Sequence, residues 1–186
     1  HEKVKNVAPR YGKHKSDGKC IGYTNIELIT DRPLALWLEE IKELKRNYPE
    51  KIIVASIMEE PVKERWQQLT DLVCKAGADL IELNFSCPHG MPERKMGQAI
   101  GQCPELVGKF TGWVKDASTV PVWAKMTPNI TDITEPGAAA VNAGADGLTA
   151  INTILSVSGI NLKNFQPIPS VKGVAAFGGY SYKAVK

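Results

Sequence analysis

The tetrapeptide Ala-Gly-Ala-Asp occurs twice, at 76–79 and at 143–146. Each time a run with apolar residues at helical spacing stops at the glycine, and an apolar, strand-like run starts at the aspartate. A glycine in that place supplies the positive φ that ends a helix, so the echo reads as one tight helix-to-strand turn used twice. Around it the chain alternates. Helices are predicted at about 33–47, 60–76, 104–117 and 131–143, and strands at about 51–57, 79–84, 121–126 and 146–152. In the first helix Leu34, Trp37, Leu38, Ile41 and Leu44 share a face; the run Lys51 to Ile57 reads as a buried strand. Residues 1 to about 24 read as a polar loop, and the stretch after Asn152 as mostly irregular. Strand–helix alternation of this kind means an α/β fold with a parallel sheet and right-handed crossovers. An open doubly wound sheet and part of a (β/α)8 barrel both satisfy it. The open sheet usually carries a glycine-rich dinucleotide turn after its first strand; neither GxGxxG nor a Walker loop is present, which favours the barrel.

Composition excludes several classes. The chain is 43% hydrophobic and 23% charged with a net charge of +3, and its basic residues are interspersed with acids, so it has no nucleic-acid footprint. No stretch approaches the ~20 apolar residues of a membrane helix. The cysteines Cys20, Cys74, Cys87 and Cys103 include no CxxC pair, so no metal site is expected. Four thiols without a signal peptide suit a reducing compartment, and the cytoplasm is the expected location. The first residue is His1 rather than Met, so the natural N-terminus is expected upstream.

Polar residues gather where strands end: Glu82, Asn84, Ser86 and Cys87; Lys125, Thr127 and Asn129; Asn152 and Thr153. In a (β/α)8 barrel all these ends open on the face that holds the active site. Carboxamides and hydroxyls match the C=O and N–H groups of a planar, amide-rich ligand, and a lysine stabilises negative charge. The set lacks the Ser/His/Asp arrangement or paired carboxylates of a hydrolase. Taken singly, an Asn at a strand end more commonly caps a turn, a Lys is solvated, and a Cys is a small buried hydrophobe. It is their convergence that points to a site.

The segment Glu82-Leu83-Asn84-Phe85-Ser86-Cys87-Pro88-His89-Gly90-Met91 closely resembles the active-site loop of the dihydroorotate and dihydropyrimidine dehydrogenases, and its Pro-His-Gly-Met ending resembles the dihydropyrimidine branch. The resemblance continues through Thr24-Asn25-Ile26-Glu27-Leu28-Ile29, Ala55-Ser56-Ile57-Met58, Met96-Gly97, Gly101-Gln102, Pro104-Glu105-Leu106-Val107, Ala124-Lys125-Met126-Thr127-Pro128-Asn129 and Gly178-Gly179-Tyr180-Ser181. It covers nearly the whole chain and is weakest in the first twenty or so residues. It implies that residues 1–186 are the central part of one FMN-binding barrel domain, truncated at both ends. The implied reaction is reduction of uracil or thymine to the dihydropyrimidine, with hydride from FMN and a proton from a cysteine. Electrons would come through iron–sulfur clusters from an FAD- and NAD(P)-binding domain or subunit, in an oligomeric complete enzyme.

By position that cysteine is Cys87. A thiol with the ordinary pKa of about 8.5 is protonated at neutral pH and serves as a general acid. Lys125 matches the lysine that contacts the flavin; Asn25, Asn84, Asn152 and Thr153 match residues that bind the pyrimidine, and Ser86 lies in the same loop. His89 is a second titratable group there, with bracing of the turn as its simpler role. Two positions depart from the pattern. Cys103 stands where an Asp commonly caps the following helix, at a cost on the order of 1 kcal/mol. Tyr182 stands where a Gly is common near the flavin. The alternatives are a dihydroorotate dehydrogenase or another heterocycle reductase, and a non-catalytic binding subunit derived from the barrel.

Overall fold

The computed structural model describes residues 10–26, 30, 32–88, 95–157, 159–168 and 178–181. They divide into two compact units, one built on residues 32–152 and one on residues 3–31 with 153–186.

The first unit runs α1 (Leu34–Asn47), β3 (Val54–Ile57), α2 (Lys63–Ala76), β4 (Leu80–Asn84), α3 (Gln98–Gly101), α4 (Pro104–Lys115), β5 (Val122–Lys125), α5 (Thr134–Asn142) and β6 (Gly147–Thr149), with β1 (Arg10–Ser16) and β2 (Lys19–Ile26) preceding it in the other unit. The strands form one parallel sheet in the order β3-β4-β5-β6, the order of the sequence. Adjacent parallel strands joined through helices are the repeating unit of a (β/α)8 barrel, of which this sheet is an arc.

Burial alternates along each strand. Ile81 and Leu83 of β4 and Val122 and Ala124 of β5 are fully buried among Trp66, Val107, Phe110 and Val114 from the helices. The intervening residues, Glu82, Asn84, Trp123 and Lys125, lie on the opposite face. The sequence run at 51–57 predicted a strand buried on both sides. Instead Val54 is 48% exposed and Ile52 76%, because apolar cover reaches only one face of β3. In α1, Leu34 and Leu38 pack on the core while Trp37 and Leu44 are exposed. That helix stands at the sheet edge beside α2, so its covered stripe is narrower than its apolar stripe. Helix α5 starts later than predicted, since the Asp132 carboxylate accepts the backbone N–H and hydroxyl of Thr134 at 2.8 and 2.6 Å and holds the preceding residues in a turn. Pro136 then falls in the first turn, where its missing N–H costs nothing.

The repeated tetrapeptide has the same geometry at both places. Gly77 and Gly144 have φ of 101° and 94°. Asp79 accepts the backbone N–H of Ile53 at 2.8 Å and the Lys45 ammonium at 2.9 Å; Asp146 accepts the backbone N–H of Val122 and the Lys115 ammonium, both at 2.7 Å. Each aspartate therefore ties the start of its own strand to the start of the strand before it, and to the end of the helix that leads there. Each lysine passes over the glycine: a Cβ on Gly77 would lie 3.1 Å from Lys45 Cγ.

In the second unit the N-terminal segment is a hairpin, not a loop. β1 (Arg10–Ser16) pairs antiparallel with β2 (Lys19–Ile26) through a turn in which Asp17 and Gly18 both have positive φ, 48° and 76°. Asp-Gly is the dipeptide that such a two-residue turn demands. The C-terminal stretch is also more ordered than expected. It contributes β7 (Ile154–Ser156), β8 (Gly159–Asn161), β9 (Gln166–Ile168) and β10 (Gly178–Ser181), in sheets ordered β1-β2-β10-β7 and β8-β9. At Gly179 an added Cβ would lie 2.0 Å from Thr153 Oγ1, so glycine at this position is there for close approach.

Candidate functional site

Parallel register puts the polar residues of the first unit in rows across the uncovered sheet face. Asn84 of β4 stands beside Lys125 of β5, which stands beside Thr149 of β6; one step earlier come Ser56, Glu82, Trp123 and Gly147. The Thr149 hydroxyl donates to Glu82 Oε2 at 3.0 Å, and Lys125 Nζ is 3.8 Å from Glu82 Oε1. Gly147 leaves room for Trp123, whose indole Nε1 would be 2.7 Å from a Cβ there.

Past the strand ends the chain is held by specific contacts. Phe85 is fully buried and packs 6.1 Å, centroid to centroid, from Trp66. Its carbonyl oxygen lies where a Cβ on Gly101 would be, at 2.0 Å, so α3 sits directly against the backbone of the Cys87 segment. The backbone N–H of Gln98 donates to the Cys87 carbonyl at 3.1 Å. Gln102 donates to the Asn129 carbonyl at 2.6 Å and Asn129 Nδ2 to Gln98 Oε1 at 3.2 Å, which joins α3 to the segment after β5. This accounts for the Met96-Gly97 and Gly101-Gln102 motifs as a brace for the loop. Cys87 itself is buried, at 9% exposure.

Three of the predicted ligand-binding residues meet here. The fully buried Ser86 donates its hydroxyl to Asn84 Oδ1 at 3.1 Å and accepts Asn152 Nδ2 at 3.0 Å. The Asn152 backbone N–H donates to the Met126 carbonyl, holding the end of β6 against the end of β5. Asn84, Ser86, Cys87, Lys125 and Asn152 thus come from the C-terminal ends of three neighbouring strands. Asn25, on β2, and Thr153 belong to the second unit. His89 and Tyr182 lie outside the described residues. Cys103 precedes α4 in an extended conformation and makes no side-chain cap, as expected of a residue that caps poorly. The sequence reading gave no role to Thr149, Phe85 or Gly101. Thr149 stands in register with Asn84 and Lys125, but the repeated aspartates do not give that alignment, because strand register is set by the pairing between strands.

The family model described as dihydroorotate dehydrogenase matches residues 3–186. The chain belongs to the dihydroorotate dehydrogenase family. Its fold is accordingly part of a (β/α)8 barrel of that type, and membership implies flavin binding. Among curated relatives of this family member, it is 53% identical to the dihydropyrimidine dehydrogenase (NADP(+)), chloroplastic, of Arabidopsis thaliana, over 99% of this chain and 45% of that protein. It is 47% identical to the NAD-dependent dihydropyrimidine dehydrogenase subunit PreA of Escherichia coli, over 97% of this chain and 44% of that protein. Identity is 42% to the catalytic subunit of dihydroorotate dehydrogenase B (NAD(+)) of Pyrococcus abyssi, over 81% of this chain and 46% of that protein. The chain spans a little under half the length of these relatives. Among the described residues no helix is long and apolar enough to cross a membrane, and no group of three or more His, Cys, Asp or Glu side chains is placed to hold a metal ion.

Proposed function

We propose that the whole protein reduces the ring double bond of uracil or thymine. The observation that carries this reading is the junction of Asn84, Ser86, Cys87, Lys125 and Asn152 at one end of the parallel sheet, inside the motif that resembles the dihydropyrimidine branch. Relatives named dihydropyrimidine dehydrogenase, aligned over nearly all of the chain, support it.

The donor set fits an FMN ring. Lys125 Nζ has only a loose 3.8 Å contact with Glu82, its side chain is 30% exposed, and a carboxamide stands beside it in the sheet. An ammonium so placed suits a flat heterocycle that gains negative charge on reduction. FMN, once bound, would supply hydride to one carbon of the pyrimidine double bond. Cys87 gives its thiol proton to the other carbon as general acid and is left as the thiolate, to be reprotonated from solvent. Asn84 and Asn152 hydrogen-bond the ring's C=O and N–H groups and fix its orientation, a role that the family resemblance also gives to Asn25 and Thr153. The electrons that recharge the flavin would come through iron–sulfur clusters from FAD and NAD(P) held in another domain or a partner subunit. The two dihydropyrimidine dehydrogenase relatives differ by name in their nicotinamide coenzyme. The cysteines Cys20, Cys74, Cys87 and Cys103, none of them in a disulfide, suit a reducing compartment such as the cytoplasm, while the Arabidopsis protein is chloroplastic by name.

A second reading, oxidation of dihydroorotate, is favoured by the Pyrococcus relative. Orotate adds a carboxylate that needs a cation, and Arg94 and Lys95 follow the cysteine loop closely in sequence. A non-catalytic barrel would have no use for both Cys87 and Lys125. Steady-state assays of the complete enzyme with uracil, thymine and dihydroorotate decide. Preference for the first two is expected, and preference for dihydroorotate overturns the assignment.

A further inference from the structure

Lys125 meets its carboxylate differently from Lys45 and Lys115. Those two close on Asp79 and Asp146 at 2.9 and 2.7 Å, within hydrogen-bond range. Lys125 Nζ stops 3.8 Å from Glu82 Oε1, beyond that range, so the contact leaves its N–H donors unspent. The Glu82 carboxylate is held from its far side, where Oε2 accepts the Thr149 hydroxyl at 3.0 Å. Glu82 is on β4 and Thr149 on β6, the strands either side of β5, so this hydrogen bond crosses β5 on the open face of the sheet. The side chains that β5 places on that face are Trp123 and Lys125. Glu82 stands in register with Trp123, and Thr149 with Lys125, so the bridge passes between the two. On this register the carboxylate lies toward the strand starts relative to Lys125, away from the strand ends that lead to Cys87 and Asn152. The Glu82 side chain is 16% exposed, against 30% for Lys125, so water screens its charge weakly. The neighbouring positions in both rows, Asn84, Thr149, Ser56, Trp123 and Gly147, carry no charge.

We propose that Glu82, pinned by Thr149, is a positioning residue: a fixed counter-charge to Lys125 that sets how strongly the site favours reduced, anionic flavin. This inference rests on the functional reading given above, in which Lys125 lies against the flavin ring. A carboxylate closed on the lysine would take up its N–H donors and offset its charge. A lysine with no carboxylate near it would present its whole charge and deepen the preference for reduced flavin. The pinned pair lies between these limits. Thr149 draws the carboxylate toward β6, so Lys125 keeps its donors for the ring while Glu82 tempers the charge.

The test uses the full-length holoenzyme as wild type, Glu82→Gln and Thr149→Val, and reads the reduction potential of the bound flavin. Glutamine keeps the length of Glu82 and an oxygen for the Thr149 hydroxyl, and removes the charge. The potential should rise, as if reduced FMN were held roughly tenfold more tightly relative to oxidised FMN. Thr149→Val keeps the charge and the shape of the side chain but removes the pin. The carboxylate then closes on Lys125, and the potential should fall. A packing role would not move the two variants in opposite directions. An unchanged potential in Glu82→Gln, or shifts of the same sign in both variants, overturns the proposal. A flavin-free measurement separates it from the functional reading. In crystals of the flavin-free full-length protein, Lys125 Nζ should stay outside hydrogen-bond range of Glu82 in the wild type and come within it in Thr149→Val. The same open contact in both proteins overturns the pin. A wild type that takes up no flavin removes the functional reading and leaves these crystals to decide whether Thr149 holds the pair open.

Discussion

Cys87 follows a strand whose last residues carry the site, and its carbonyl is held by the Gln98 N–H while its side chain is buried to 9% exposure. A proton donor gains from such fixation, since general acid catalysis needs the acid within hydrogen-bond reach of the reacting carbon. In the complete protein, Cys87→Ala is expected to lower kcat for pyrimidine reduction by about a hundredfold or more, with flavin content unchanged. Cys87→Ser should keep a small residual rate, because a hydroxyl is a weaker acid that still donates. Undiminished uracil reduction by Cys87→Ala would remove its role as the acid. At the same scale, Trp66 Nε1 and Thr111 Oγ1 are buried without a hydrogen-bond partner. The indole is there for its area, against Phe85 and Phe110, whose ring centroids lie 6.1 and 5.8 Å away.

Helix α3 has four residues, and its contribution is mechanical. Gly101 lets it lie against the Phe85 carbonyl with no room for a side chain. Gly101→Ala must move either the helix or the Cys87 segment. It is expected to cost about 1–3 kcal/mol in chemical denaturation and to reduce turnover together with stability. Turnover and stability both at wild-type levels would show that the loop does not depend on this close approach. The aspartates of the repeated tetrapeptide set a pH dependence. The Ile53 N–H first, and then Lys45, hold the Asp79 carboxyl below its usual pKa; for Asp146 the Lys115 ammonium leads, followed by the Val122 N–H. A carboxyl with a depressed folded-state pKa contributes stability above its unfolded value of about 3.9, and that stability is lost as pH falls through the folded value. Below about pH 4 the protein should therefore lose stability more steeply than the Asp79→Asn, Asp146→Asn double variant. Denaturation midpoints measured through this range test the point, and parallel acid limbs would refute it.

In the first unit as a whole, one face of the parallel sheet is covered by helices and the other presents Val54, 48% exposed, and Trp123, 40% exposed, along with the polar row. The relatives that match this chain are more than twice the length that it covers. A polypeptide of residues 1–186 by itself is therefore expected to associate through its exposed apolar surface and to bind FMN weakly. Its residues at the strand ends suit the flavin ring, whereas a flavin phosphate is commonly anchored by glycine-rich loops and helix N-termini. Sedimentation and flavin-fluorescence titration of that polypeptide provide the check. A stable monomer that takes up FMN stoichiometrically would show that the described units suffice.

The sequence by itself determined whatever depends on neighbours along the chain. Spacing of apolar residues marked the helices, the glycine–aspartate turns marked where helices give way to strands, and Asn84 to Cys87 marked the site through their motif. The Asp17-Gly18 dipeptide carries the hairpin signal, but a polar, lysine-rich surround masks the alternation that buries Gly22, Thr24 and Ile26. The tertiary structure alone decided which apolar stripes are covered, as in the exposure of Trp37 and Leu44. It also decided the pairings of Ser86 with Asn152 and of Glu82 with Thr149, 66 and 67 residues apart. Periodicity states that a side chain has a face, but what meets that face comes from a distant part of the chain. The meeting of Asn84 and Asn152 at one buried hydroxyl is therefore a property of strand order and register.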